Sequence, residues 1–119
     1  LALPKATDEE KAKRTKAMQD AAILSLNVPL KTAHSCCDVL KHLKVLALHG
    51  NKNAISDIGV AALMGDAGLN GAVFNVKINL LGLDDEAEKT AKRKECDELV
   101  KTSLQLKNEV LEIVNSKIA

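Results

Sequence analysis

Between about Ser56 and Leu81 the chain carries some 26 residues of uninterrupted helical pattern threaded by four glycines, Gly59, Gly65, Gly68 and Gly71. Each glycine weakens an isolated helix by about 1 kcal/mol relative to alanine. A run that keeps four of them must gain something from the missing side chains, and close approach of neighbouring elements is the physical gain on offer. The rest of the core is constrained the same way. Phe74 is the only aromatic residue, so Leu, Val, Ile, Ala and Gly must supply the packing. Closely packed helices fit that supply better than a sheet built on aromatic pairs.

The flanking segments read as helix too. Thr7-Asp8-Glu9-Glu10 is a capping box that opens a helix carrying Ala12, Ala17, Met18, Ala21, Ala22, Ile23, Leu24 and Leu26. Asn27-Val28-Pro29 is expected to end or kink it, with a second helix from Pro29 to His49 and Gly50 beyond its C-terminus. In that second helix Ala33, Cys37, Leu40, Leu43, Leu46 and Ala47 recur at spacings of three and four. Asp84-Asp85-Glu86 places negative charge at the start of a last helix toward Ile118, striped by Cys96, Leu99, Ser103, Leu106, Val110 and Ile113. No segment alternates like a strand. The predicted fold class is all-α, a bundle of long helices in a single domain spanning 1–119.

Seventeen basic and sixteen acidic residues leave a net charge of +1 with the signs intermixed, which argues against nucleic acid as a main partner. The longest uncharged apolar run, Ile58 to Gly65, is far too short to cross a membrane. Cys36, Cys37 and Cys96 are odd in number and suggest no disulfide framework, so a reducing, cytoplasmic setting is expected. Neither the cysteines nor His34, His42 and His49 show metal-ligand spacing, and no metal is expected. Lys11, Lys13, Arg14 and Lys16 form either a solvated face or a contact for an anionic ligand tail.

The chemistry concentrates around the glycine-rich run. Asn51, Asn53, Ser56 and Asp57 precede or open it, and Asn75 and Asn79 lie in its last turns. Burying such groups is costly unless each is partnered, so they point to a site or an interface network. At 100° per residue Asn75 lies five whole turns after Asp57, and Asn53 and Asn79 fall near the same direction if the helix is regular. Asn70 falls on the opposite side and reads as solvated. Asp57 and Asn75 would stand ~27 Å apart along one helix, so a single chain cannot bring both to one reacting atom. Two such helices crossing antiparallel could. Two plainer readings stand beside this one: Asn53, Ser56 and Asp57 suit a helix N-cap, and Asn75 and Asn79 suit inter-helix hydrogen bonds.

Four blocks then occur in order: Leu3-Pro4-Lys5 with Thr7 and Glu9-Glu10-Lys11; Val28-Pro29-Leu30 with Ala33; Gly50-Asn51 with Asn53, Ser56-Asp57 and Val60-Ala61-Ala62; and Gly71-Ala72 with Asn75-Val76, Ile78, Asn79 and Leu80. In these the chain resembles the cyclodeaminase/cyclohydrolase family of folate enzymes. That family includes bacterial methenyltetrahydrofolate cyclohydrolases and the C-terminal domain of formiminotransferase-cyclodeaminase. The resemblance implies an all-helical fold, a homodimer and a reduced one-carbon folate as substrate, with no metal or organic cofactor. It implies hydrolysis of 5,10-methenyltetrahydrofolate to 10-formyltetrahydrofolate, with the formimino-folate cyclodeaminase as alternative. A catalytically silent helical dimerisation or folate-binding module is the alternative of another class. Asp57 becomes the catalytic candidate, and Asn51, Asn53, Ser56, Asn75 and Asn79 become candidates for substrate binding. Members of the family carry further helices before the Leu-Pro-Lys block, so the chain is expected to be the C-terminal portion of a larger helical domain.

Overall fold

The computed structural model describes residues 7–119 and contains three long helices joined by tight connections. Helix α1 is Asp8–His49, a 3-10 turn follows at Lys52–Ala54, α2 is Ile55–Leu80 and α3 is Glu86–Ile118. Successive helices run antiparallel, and both α1 and α3 pack on α2 and on each other. The assembly measures 71 × 25 × 16 Å, a long thin slab. The Leu3-Pro4-Lys5 block lies outside the described residues.

Two apolar clusters hold the slab together. One joins Leu26, Leu30, Ala33 and Cys37 of α1 to Leu69, Val73, Val76 and Leu80 of α2 and to Cys96 and Leu99 of α3. The other joins Leu40, Leu43 and Ala47 to Ile55, Ile58 and Ala62 and to Val110 and Val114. Leu106 packs against both. Burying a leucine or valine side chain is worth about 1.5–3 kcal/mol, and the fully buried Leu26, Leu40, Leu69 and Leu80 anchor the seams. The spacing within α1 and α3 gave most of these positions, but Leu30 and Val114 lie outside the expected stripes, Leu106 and Ile113 are only partly buried, and Leu46 turns out to solvent.

The expected break at Pro29 does not occur: α1 is one helix of 42 residues. Proline removes one rung of the hydrogen-bond ladder. Here the buried stripe Leu26, Leu30, Ala33 runs through the missing rung, so packing on α2 outweighs the lost bond. Thr7 caps α1 as expected, its Oγ1 accepting from the Glu10 amide at 3.1 Å. The early apolar residues Ala12, Ala17, Met18 and Leu24 do not enter a core. Gln19 bonds the loop after α2, donating to the Gly82 carbonyl at 3.1 Å and accepting from the Asp84 amide at 2.9 Å. The turns of α1 before it therefore stand clear of the other helices.

Gly50 ends α1 for a reason other than left-handed backbone. Its φ is −75°, and a Cβ there would collide with the Leu46 carbonyl oxygen. At the far end Asp85 caps α3, accepting from the amides of Ala87 at 3.0 Å and Glu88 at 3.1 Å. Lys117 closes the opposite end of the slab, donating to the carbonyls of Ala47 at 2.5 Å and Leu48 at 3.1 Å.

The glycines of α2 divide. A Cβ on Gly59 would stand 3.1 Å from a Val114 methyl, on Gly65 3.3 Å from Leu40, and on Gly68 3.4 Å from the Cys36 sulfur. Side chains, rather than backbones, occupy the space these glycines leave. Gly71 faces open space, with nothing within 4 Å of such a Cβ.

Candidate functional site

An open groove of about 650 Å³ runs between α1 and α2. Ser25, Pro29 and Thr32 form its α1 wall, and Gly68, Gly71, Asn75 and Asn79 form its α2 wall. The two asparagines lie four residues apart and so one above the other on the helix. Asn79 is half-buried and Asn75 exposed. Thr32 directs its hydroxyl into its own helix, donating to the Val28 carbonyl at 3.2 Å. A second groove of about 580 Å³, sharing Val28 and Thr32, runs toward Lys31, Ser35, Cys36 and Gly65. The first groove thus offers two carboxamides on a floor of small residues, without a charged side chain on its α2 wall.

The other candidates gather at the opposite end of α2. Asn51 caps the 3-10 turn, its Oδ1 accepting from the Asn53 amide at 2.9 Å. Asn53 belongs to that turn and not to the stripe on α2. The residue before α2 is Ala54, which makes no side-chain cap, so capping explains Asn51 but neither Ser56 nor Asp57. Asp57 sits in the first turn of α2, where the helix dipole favours a carboxylate.

Asn51, Asn53, Ser56 and Asp57 are all exposed in the single chain. The expectation that the polar row is buried inside packed helices is therefore not met within one molecule. The row lies on the outer flank of α2, because the core takes the side marked by Ile58, Ala62, Leu69, Val73 and Val76. The structure brings Asn75 and Asn79 together and leaves Asp57 eighteen residues away, ~27 Å along a continuous helix.

The polar network that is sheltered was missed by sequence reading. Asp66, on the flank of α2 facing α3, accepts from the Ser103 hydroxyl at 2.6 Å and from the Asn70 amide at 3.2 Å, and Lys107 lies 3.6 Å from its other oxygen. Asn70 is half-buried and engaged rather than solvated. Among the described residues no buried side-chain nitrogen or oxygen lacks a partner. The signal was present in Ser103, a hydroxyl in an otherwise apolar stripe. Likewise Ser25, Pro29 and Thr32 follow at spacings of four and three, the mark of a shared helix face.

Of the remaining candidates, His34 pairs with Glu95 at 2.6 Å across α1 and α3, and His42 bonds the Asp38 carbonyl of its own helix at 2.7 Å. Cys37 and Cys96 are buried in the core and Cys36 half-buried beside the groove, all three free thiols. Burial raises the Cys96 thiol above its ordinary pKa, with the nearby Lys77 opposing. Among the described residues no cluster of His, Cys, Asp or Glu could hold a metal, and no helix is long and apolar enough to cross a membrane.

Comparison with known proteins bears on these blocks directly. Residues 1–98 match the family described as formiminotransferase-cyclodeaminase. The chain is 41% identical over 116 residues to a methenyltetrahydrofolate cyclohydrolase of Methylorubrum extorquens, covering 98% of this chain and 56% of that protein. It is 42% identical over 90 residues to the formimidoyltransferase-cyclodeaminase of Gallus gallus, covering 76% of this chain and 17% of that protein. For the Rattus norvegicus protein of the same name the identity is 41% over 95 residues, with 78% and 18% covered. The chain thus spans about half the length of the cyclohydrolase and under a fifth of the two-function proteins. The matched span takes in α1, α2 and the first turns of α3, with both the amide-lined groove and the Asp57 end, and by that match the chain belongs to the formiminotransferase-cyclodeaminase family.

Proposed function

We propose that the chain forms the folate-binding core of a one-carbon enzyme that hydrolyses 5,10-methenyltetrahydrofolate to 10-formyltetrahydrofolate. The observation that carries the reading is the 41% identity to a cyclohydrolase across 98% of the chain. The amide-lined groove supports it. Water adds to the methenyl carbon, one carbon–nitrogen bond opens, and one proton leaves. The substrate is an amidinium cation, so a carboxylate near that carbon both stabilises positive charge and takes the proton of the attacking water. Asp57 is the residue for that role. Asn75 and Asn79, with Asn51, Asn53 and Ser56, hold the pterin and benzamide by hydrogen bonds that add no charge. The reaction calls on no metal or organic cofactor.

Asp57 and the groove asparagines of one chain are too far apart to meet on one substrate, so the reading places the site between two copies of a homodimer. A reducing cytoplasmic setting suits the three free thiols.

The second reading is the cyclodeaminase, favoured by relatives of that name at 38–42% identity. It acts on the same carbon in a ring closure: N10 of formimino folate adds to that carbon and ammonia leaves, which forms the methenyl bridge that the hydrolase opens with water. Methenyl folate absorbs in the near ultraviolet and its hydrolysis product does not, and the chain has no Trp or Tyr to mask the signal. Absorbance that the chain depletes faster than buffer supports the hydrolase. Decay at the buffer rate overturns it, and ammonia released from formimino folate selects the deaminase.

A further inference from the structure

The two grooves between α1 and α2 share Val28 and Thr32, so they form one trough along a single seam. It reaches from Asn79 to Gly65 on α2 and from Ser25 to Val39 on α1, fourteen positions on each helix or ~21 Å. The trough is graded in polarity. Ser25, Asn75 and Asn79 make one end polar and uncharged. Val28, with Gly71 and Ala72 opposite, makes the middle apolar. Beyond it comes Lys31, and among the described residues that line either groove Lys31 alone is charged.

That charge is left uncompensated, and the sequence shows why. On a helix surface an acid three or four residues away partners a lysine. Lys13 has Glu9, Lys89 has Glu86 and Lys92 has Glu88. Around Lys31 those positions hold Asn27, Val28, His34 and Ser35, none of them acidic, and His34 is engaged by Glu95 of α3. The α2 wall supplies no acid either, because Asp66 turns to Ser103 and Lys107 of α3. Lysines that reach between helices elsewhere are paired, Lys44 with Glu109 and Lys77 with Asp97. Lys31 is exposed and makes no ion pair or hydrogen bond to any described residue.

A free cation at one side of an otherwise uncharged trough favours a guest that carries an anion there and neutral hydrogen-bonding groups at the other end. A reduced folate is built in that order: a pterin with amide and amino groups, an aminobenzoyl ring, then a glutamate with two carboxylates. Lys31 stands six positions past Ser25, ~9 Å along α1, which leaves the ring to cross Val28. The basic early turns of α1 lie on the other side of Ser25, beyond the amide end.

We infer, resting on the folate reading of the groove, that Lys31 reads the glutamyl tail of the substrate. The pterin lies against Asn75 and Asn79, and a tail carboxylate meets the Lys31 ammonium. The contact is remote from the reacting carbon, so it sets affinity and choice of substrate and takes no part in the chemistry.

Calorimetric titration of the chain with tetrahydrofolate, and with tetrahydropteroate, which lacks the glutamate, tests this. The parent is expected to bind tetrahydrofolate about 5-fold more tightly at low salt, the scale of one exposed ion pair, and to lose much of that preference at high salt. Lys31→Gln is expected to remove the preference by weakening tetrahydrofolate alone. Lys31→Arg is expected to keep it and Lys31→Glu to reverse it, with helicity unchanged in each. Equal affinities in the parent, a preference that survives Lys31→Gln, or one that Lys16→Gln removes instead would each overturn the inference and leave the folate reading standing. A parent that binds neither compound fails the folate reading and the inference with it.

Discussion

Ser103 donates a 2.6 Å hydrogen bond to the Asp66 carboxylate, the shortest polar link between α2 and α3. Ser103 is fully buried, so its hydroxyl has no water to fall back on. Asp66→Ala should lower stability by about 1–3 kcal/mol, since it strands Ser103 and removes the partner of Lys107. Ser103→Ala should be milder, at about 0.5–1.5 kcal/mol, because Asn70 and Lys107 still serve the carboxylate. Urea unfolding of both single variants and the double variant checks the order and the coupling.

Asp57 makes no hydrogen bond or ion pair to any described residue and is exposed. Asp57→Asn should therefore leave helicity intact and shift stability by less than about 1 kcal/mol, the size of a first-turn dipole term. Turnover of methenyl folate should fall at least ~100-fold, the lower end for losing a general base. Circular dichroism and absorbance decay on the same sample separate the two effects.

Gly59 and Gly71 should answer alanine with opposite signs. Gly59→Ala pushes a methyl to 3.1 Å from Val114 and should destabilise. Gly71→Ala meets nothing within 4 Å in the single chain and should gain up to about 1 kcal/mol of helix propensity. Thermal melts at a dilution that keeps chains apart make the comparison.

Glu109 accepts hydrogen bonds from Lys44 and Gln105, and these hold its carboxyl below the usual carboxylate range, Lys44 contributing most. A carboxylate lowered on folding adds stability at neutral pH and loses it as pH falls through the lowered value. The parent should thus exceed Glu109→Gln in stability at pH 7, and the two should converge in acid. Added salt should narrow the neutral-pH gap, because the pair is half-buried and still reached by solvent.

Periodicity found the helices, the capping at Thr7, the acidic start of α3 and most of the core, because those features rest on residues close in sequence. Pro29 misled it: local rules weigh one lost hydrogen bond and cannot see Leu26, Leu30 and Ala33 held by α2 from both sides. The site was legible in part. Asn75 and Asn79 lie in a groove whose other wall comes from a helix some forty residues earlier, so the sequence showed the amides and not the cleft. The burial assumed for Asp57 failed because one helix can be apolar on two faces, one for its own chain and one turned outward. Asp66 escaped notice because an acidic residue in a helix looks solvated until Ser103 is brought against it.

Pro29 has one more effect. Its ring nitrogen carries no hydrogen, so the Ser25 carbonyl oxygen four residues earlier is released from the helical ladder, and both residues border the groove. The missing rung therefore lies in the wall of the cleft across from the two asparagines, and α1 runs through it unbroken.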